Sequence, residues 1–388
     1  MTQQQLQLVK NEYQQKKELG KNIRQYYLDK TMELNLKPFK RIKKYLESEF
    51  PNIHRLVDRD IIFAHLGFES FTNNIAEQTL FSVISGLNPS APLHLGHKVL
   101  FDLLLFLQKL GADIYIPLTN DESYIDGKVA SLAESRRIAY EEIIPSIIAF
   151  GFDPRKTKIF VMSDYPEIYN FAMLISKNVI HKEVVTVFGE EGLDNSGKAF
   201  YRSAVQLAQI LLLQLPEFGG RKETLIPVGI DQHPYILLAR DVARKMGYTP
   251  PSELMFKFQN SLLNPFEKMS GSKSKTAIYF TDTPEAVKNK IHHAFTGSIS
   301  LLEAHKKFGG IPEACSVFSL LYFHHPDNTF VQRIYDRYRN GTINMDELKE
   351  ITTKFITQIV KEHREKKQLV SKKVIQQYLY SPPLQSFL

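Results

Sequence analysis

From Phe81 onward the chain alternates between short apolar runs of strand type and longer stretches of helical spacing. FSVISGL reads as a buried strand, APLHLGHKVLFDLLLFLQKL as a helix and ADIYIPLTND as a second strand. ESRRIAYEEIIPSIIAF and YNFAMLISKNVI are helical in pattern, with the strand-like KIFVMS between them. After the loop EEGLDNSGKAF come helix SAVQLAQILLLQL, strand TLIPVGI and helix HPYILLARDVARKMG. Such an order predicts a parallel sheet with helices on both faces, an α/β domain over 76–283. From Pro284, a fitting first helical residue after Thr283, the pattern is almost wholly helical to 388, with the longest helix over 346–379. Residues 1–75 read as a mostly helical extension whose basic cluster, Lys37, Lys40, Arg41, Lys43 and Lys44, announces no chemistry.

A chain of 388 residues exceeds one ordinary core and needs no staples. Its one cysteine, Cys315, lies in an apolar stretch and reads as a buried small hydrophobe, in keeping with a reducing compartment. The first residues lack the apolar run of a signal peptide, and LAQILLLQL is too short to span a bilayer, so a soluble cytoplasmic protein is expected. Forty-nine Lys and Arg against 42 Asp and Glu give +7. That excess favours a polyanionic partner, and is equally the solvated basic surface of an ordinary enzyme.

Two segments carry the chemistry. NPSAPLHLGHKVL, residues 88–100, follows a strand and opens a helix, with Ser90 and Pro92 as start-of-helix residues and His94 and His97 on one face of the first turns. Free N–H groups and the dipole at a helix start attract phosphate, and Gly96 leaves room for a nucleotide to approach. On its own, HxxH also reads as a zinc pair or as two surface residues. Zinc is disfavoured because no second cysteine or nearby carboxylate completes a tetrahedral set. NPFEKMSGSKSKT, residues 264–276, is a small loop bearing Lys268, Lys273 and Lys275, able to fold over phosphates. Alone it reads as a solvated turn; the two together read as a grip on a nucleotide triphosphate.

HLGH at 94–97 resembles the HIGH signature, and KMSGS at 268–272 the KMSKS signature, of the class I aminoacyl-tRNA synthetases. Gly271 stands where the second signature usually has lysine, and Lys273 resembles the displaced lysine of some members. The resemblance runs from about Arg59 to the end. It implies a Rossmann-type parallel-sheet catalytic domain, flanked by the N-terminal helical segment and a C-terminal all-helical anticodon-binding domain. It also implies ATP with Mg2+ as substrate, no structural metal, and a homodimer. GIDQHPYILLARDVARK at 229–245 is similar to a segment shared by the tyrosine and tryptophan enzymes, nearest those for tryptophan in archaea and eukaryotes. Residues 276–297 and 305–325 look like the same subgroup.

The activity so implied joins L-tryptophan to tRNA(Trp). The amino-acid carboxylate attacks the α-phosphorus of ATP, pyrophosphate leaves, and the acyl group passes to the terminal adenosine of the tRNA. By resemblance His94, His97, Lys268 and Lys273 are catalytic. Ser90, Gly96, Asp231, Met269, Ser270 and Ser272 hold ATP, and Gln232 the substrate amino group. Asn120, Asp121 and Glu122 close the second strand, where a polar loop cap and a ligand contact are both open readings; in the family they help bind the amino acid.

A tyrosine site must pair the phenol hydroxyl, at a cost of about 1–3 kcal/mol if it does not. The positions that would do so carry Ile84 and Gln209, with Gln206 as the helix glutamine, and Gln209 can accept an indole N–H instead. Ile84 departs from the tyrosine that many eukaryotic tryptophan enzymes carry there. Lys361, Arg364 and Lys367, among Glu362 and Glu365, read as a solvated helix face; the resemblance adds contact with tRNA. Rival readings are a tyrosine enzyme, a catalytically silent synthetase-like RNA-binding protein, and a smaller nucleotidyltransferase, which fits the lysine loop and the helical tail poorly.

Overall fold

The computed structural model describes residues 3–50, 53–77, 79–271 and 273–380. It divides into two compact units, each assembled from three stretches of chain. The first comprises Met1–Ala64, Leu93–Val99 and Lys257–Glu365; the second His65–Pro92, Leu100–Phe256 and Lys366–Leu388. The strands are β1 (Lys37–Pro38), β2 (Ile62–Leu66), β3 (Phe81–Ile84), β4 (Ala112–Leu118), β5 (Thr157–Val161), β6 (Thr224–Val228) and β7 (Ser252–Phe256).

In the second unit the strand order is β7-β6-β3-β4-β5, every pair parallel, so the α/β expectation holds. Val83 on β3 stands opposite Ile114 on one side and Leu225 on the other. All residues of β3 and β7 are buried, as a sheet covered on both faces demands. Helices Glu167–Ser176 and His233–Lys245 pack against Gln206–Leu211 in one apolar cluster with Ile84, Phe160 and Ile226. From β3 the chain moves outward through β4 and β5, whereas β6 and β7 lie on the other side of β3. The direction reverses between β3 and β6, the place where parallel sheets of this kind open a crevice beyond the strands' carboxyl ends.

The pattern over 134–150 is helical throughout, but its ladder widens into a π turn at Ala139–Ile143 before Ile144–Ile148. Pro145, which has no N–H to give, sits just past that turn.

The first unit is mainly helical. Helix Gln3–Glu33 is docked on the turn Pro312–Ala314. The Glu12 carboxylate accepts from the Ser300 hydroxyl at 2.7 Å, and Arg24 pairs with Glu313 at 3.1 Å. The last carbonyls of helix Ser316–His324 are satisfied by side chains: Arg59 donates to Tyr322 at 2.7 Å and Arg55 to Phe323 at 3.0 Å. Cys315 is buried in front of that helix, its sulfur accepting from the Phe318 N–H, as a small apolar residue at such a place should be.

The single helix expected over 346–379 is two. Met345–Gln368 buries Leu348, Thr352, Ile356, Val360 and His363, a stripe one turn apart. The chain then breaks, and the Ser371 hydroxyl caps Lys372–Tyr378 by accepting from the Val374 N–H at 3.3 Å. Among the described residues no helix is long and apolar enough to cross a membrane.

Candidate active site

In the first unit the helix of the HLGH segment starts at Leu95, not at Ser90 or Pro92. The reason lies in the histidines, which take the capping roles themselves. His94 Nδ1 accepts from the Gly96 N–H at 3.1 Å, and His97 Nδ1 reaches back to accept from the His94 N–H at 3.2 Å. The reciprocity is that of a capping box, with imidazole nitrogens in place of hydroxyl and carboxylate oxygens. Ser90 lies upstream, its N–H turned to the Asn88 carbonyl at 3.0 Å.

The electrostatics follow. With both Nδ1 atoms accepting, the network assigns the hydrogen of each neutral ring to Nε2. The rings stack with centroids 3.8 Å apart. Burial, and then the neighbouring His97, push the His94 imidazole down to about 2, and burial pushes His97 down to about 4. Both are therefore neutral donors at working pH. A methyl group on Gly96 would stand 2.8 Å from His94 Cε1 and 3.4 Å from Met269 Cβ, so the glycine makes space for the capping ring.

Met269 belongs to the lysine loop, which the same unit brings to the helix start. Leu95 N–H donates to Ile278 O and Phe280 N–H to Leu93 O, both at 3.0 Å, which zips the two segments together around a His94–Tyr279 bridge. The loop's base is a second bridge, Asn260 with Lys268, and its far side is held by Thr276, whose hydroxyl donates to the carbonyls of Ser270 at 3.3 Å and Lys273 at 2.7 Å. The Lys268 ammonium stands 5.2 Å from the Phe258 ring centroid, and Lys273 lies 3.8 Å from the Glu267 carboxylate. Lys268, Lys273 and Lys275 are exposed. Ser272 lies outside the described residues.

The second unit places its expected residues at the carboxyl ends of the strands. Ile84 closes β3 and is buried in the apolar cluster. Asn120, Asp121 and Glu122 open the short helix Asn120–Ile125 directly after β4. Asn120 exchanges hydrogen bonds with Ser163, donating to its hydroxyl at 2.8 Å and accepting its N–H at 3.0 Å. Burial pushes the Asp121 carboxyl up to about 6 and also raises Glu122, which accepts from the Thr119 hydroxyl at 2.9 Å.

Asp231 and Gln232 form a 3-10 turn after β6, with Asp231 exposed. Behind them lies a buried pair, His233 Nδ1 with Glu253 at 3.0 Å, which fixes the start of the following helix to β7. Gln206 is half-buried, whereas Gln209 is buried. The Gln209 carbonyl oxygen accepts from the Tyr201 hydroxyl at 3.1 Å, and its Nε2 has no hydrogen-bond partner among the described residues.

Two tyrosines thus join the site unannounced: Tyr201, and Tyr169, whose hydroxyl donates to Asp121 at 3.0 Å. Tyr169 opens an apolar helical run, where pattern alone reads a phenol as core, and Tyr201 falls between a loop and a helix in the sequence, on a turn that is helical only in the structure. Of the three cations assigned to RNA, Lys361 is exposed, facing Glu365 at 4.0 Å. Arg364 donates to the Asp282 carbonyl and Lys367 pairs with Glu142, so neither lies on an open helix face.

The model of the class I tRNA synthetases (W and Y) matches residues 76–361. The tryptophan–tRNA ligase of Methanocaldococcus jannaschii is 36% identical over 346 residues, 87% of this chain and 91% of that protein. That of Sulfolobus acidocaldarius is 35% identical over 84% of each. The crystal structure of tryptophanyl-tRNA synthetase from Aeropyrum pernix superposes with a TM-score of 0.83 at 30% identity, covering 92% of this chain and 97% of that one.

Proposed function

The chain belongs to the class I tRNA synthetases of the W and Y type, and on that premise we propose that it is a tryptophan–tRNA ligase, activating L-tryptophan with ATP and passing it to tRNA(Trp). The observation that carries the chemistry is that, within one unit, two backbone hydrogen bonds tie the HLGH turn to Ile278 and Phe280, in the segment that directly follows the KMSGS loop, while Met269 of that loop lies beside Gly96.

In the first step a carboxylate oxygen of tryptophan bonds to the α-phosphorus of ATP and the bond to the bridging oxygen breaks, releasing pyrophosphate. Such a displacement asks for positioning and charge stabilisation rather than a covalent nucleophile. His94 and His97 supply neutral Nε2–H donors, which stabilise charge building on phosphate oxygens without adding a cation to a buried turn. Lys268 and Lys273 take the leaving pyrophosphate, and Lys273 exchanges the Glu267 carboxylate for phosphate as it does so.

In this reading Gly96, Met269, Ser270 and Ser272, with Ser90 and Asp231, are the residues assigned to ATP, and Mg2+ arrives with the ATP. Asn120, Glu122, Gln206 and Gln232 hold the amino acid, Ile84 gives the indole an aliphatic wall, and the Gln209 carbonyl oxygen, through the lone pair left free beside the Tyr201 hydroxyl, accepts its N–H. The acyl group then moves to the terminal adenosine of the tRNA, with AMP leaving. The C-terminal part, 284–388, serves as the anticodon-binding domain in this reading, and the working form is a cytoplasmic homodimer.

Exchange of labelled pyrophosphate into ATP, run with each of the twenty amino acids, tests the assignment. Exchange driven by tryptophan alone is expected. Exchange driven by tyrosine would move the chain to the other branch of its family, and none with any amino acid would leave an RNA-binding relative without catalysis.

A further inference from the structure

Tyr279 touches both halves of the grip. Its hydroxyl donates to the Gly271 carbonyl, at the tip of the KMSGS loop, at 2.9 Å. Its ring meets the His94 imidazole edge-to-face, centroids 5.9 Å apart and planes at 84°. Its backbone forms the bridge with His94, and its N–H donates to the Asp282 carboxylate at 2.9 Å. Lys290, paired with the same carboxylate at 2.7 Å, stands 4.8 Å from the ring centroid. The residue is 8% exposed.

A phenol fixed by bridge, carboxylate and ammonium is a rigid anchor, and what it anchors is the glycine of the loop. Gly271 carries no side chain to limit its backbone, and Lys273, Ser274 and Lys275 after it are exposed. Holding the Gly271 carbonyl fixes the direction of a peptide group that otherwise samples many. Packing alone does not call for the hydroxyl. A phenylalanine ring would fill the same space and keep the same contact with His94.

We propose that Tyr279 is a positioning residue for ATP activation, its hydroxyl presetting the KMSGS loop tip while its ring sets the plane of His94. The proposal rests on the reading of these two segments as the ATP grip. Prepaying the loop's ordering lowers the barrier for the nucleotide and leaves the amino-acid side untouched.

The test is Tyr279→Phe in the full-length chain, with pyrophosphate exchange measured against both substrates. A fall of roughly 3–10-fold in kcat/KM for ATP is expected, the range of one hydrogen bond, with the KM for tryptophan and the thermal midpoint unchanged. The variant is then combined with Lys273→Ala. If the hydroxyl acts through the loop, its removal costs less than about twofold once that lysine is gone, because residues that act as a unit are not additive. Full additivity, or a wild-type kcat/KM for ATP in Tyr279→Phe, overturns the assignment. Were Lys273→Ala and His94→Ala themselves to exchange at the wild-type rate, the ATP-grip reading would fail, a result distinguishable from failure of Tyr279 alone.

Discussion

Each imidazole of the HLGH turn commits its Nδ1 to a backbone N–H, and this decides how the pair responds to pH. The folded values, about 2 for His94 and about 4 for His97, lie below the ordinary histidine value of about 6.5, chiefly through burial. The unfolded chain therefore binds protons first as the medium acidifies. Stability from this source is complete above about 6.5 and is lost as pH falls from there towards the folded values. Denaturation in urea should accordingly give a lower midpoint at about pH 5 than at pH 7, with part of that difference missing in His97→Gln. Catalysis gives the complementary signature. A donor that had to be imidazolium would lose activity as pH rises through 6.5, whereas neutral donors give exchange kinetics without a histidine step between about pH 6 and 8. His97→Ala should lose about 10²–10³ in rate, and His97→Gln, which restores a neutral N–H, should recover most of it. Equal losses in the two variants would argue that the ring's shape matters and its donor does not.

Among the elements, helix Gln3–Glu33 shows best where sequence reading stops. Its helical spacing is plain, but its polar surface gives no sign of what it docks against. The contacts that hold it are made some three hundred residues away, by Ser300, Ile311 and Glu313. Gly20 marks a close approach, since a Cβ there would come within 2.8 Å of Ile311 Cγ2 and 3.3 Å of Glu313 Cβ. Gly20→Val should therefore destabilise the first unit by about 1–3 kcal/mol through overpacking, read as a lower denaturation midpoint, even though the change adds no polar group. A neutral result would mean that the helix rides loosely on its partner turn. Similar limits explain the other differences. Ser90 and Pro92 carry ordinary helix-start preferences, yet two histidines capping one another move the start to Leu95. The break between Gln368 and Ser371 rests on a single serine cap that the surrounding helical pattern hides.

Across the whole molecule, the order of strands and helices was legible because burial on both faces of a parallel sheet leaves long apolar runs, and the two segments we propose for phosphate stood out in the sequence because few residue types suit that task. The gathering of each unit from three separate stretches was not, since it depends on pairings such as Leu95 with Ile278 that no local pattern encodes. The same distinction governs how the +7 net charge meets RNA. Cations already held by the protein release no counterions on binding, and Arg364 and Lys367 are so held, by the Asp282 carbonyl and by Glu142. Exposed lysines such as Lys354, Lys361, Lys366, Lys372 and Lys373 remain. If they meet phosphates of the tRNA, the logarithm of the association constant should fall linearly with the logarithm of salt, each neutralised phosphate adding about 0.7–0.9 to the slope. Lys361→Ala with Lys366→Ala should then flatten the slope by roughly one to two and weaken tRNA binding at low salt, with pyrophosphate exchange unaffected. Arg364→Ala should instead lower thermal stability and leave the slope near that of the parent. A slope unchanged by loss of the exposed lysines would place the RNA on another face.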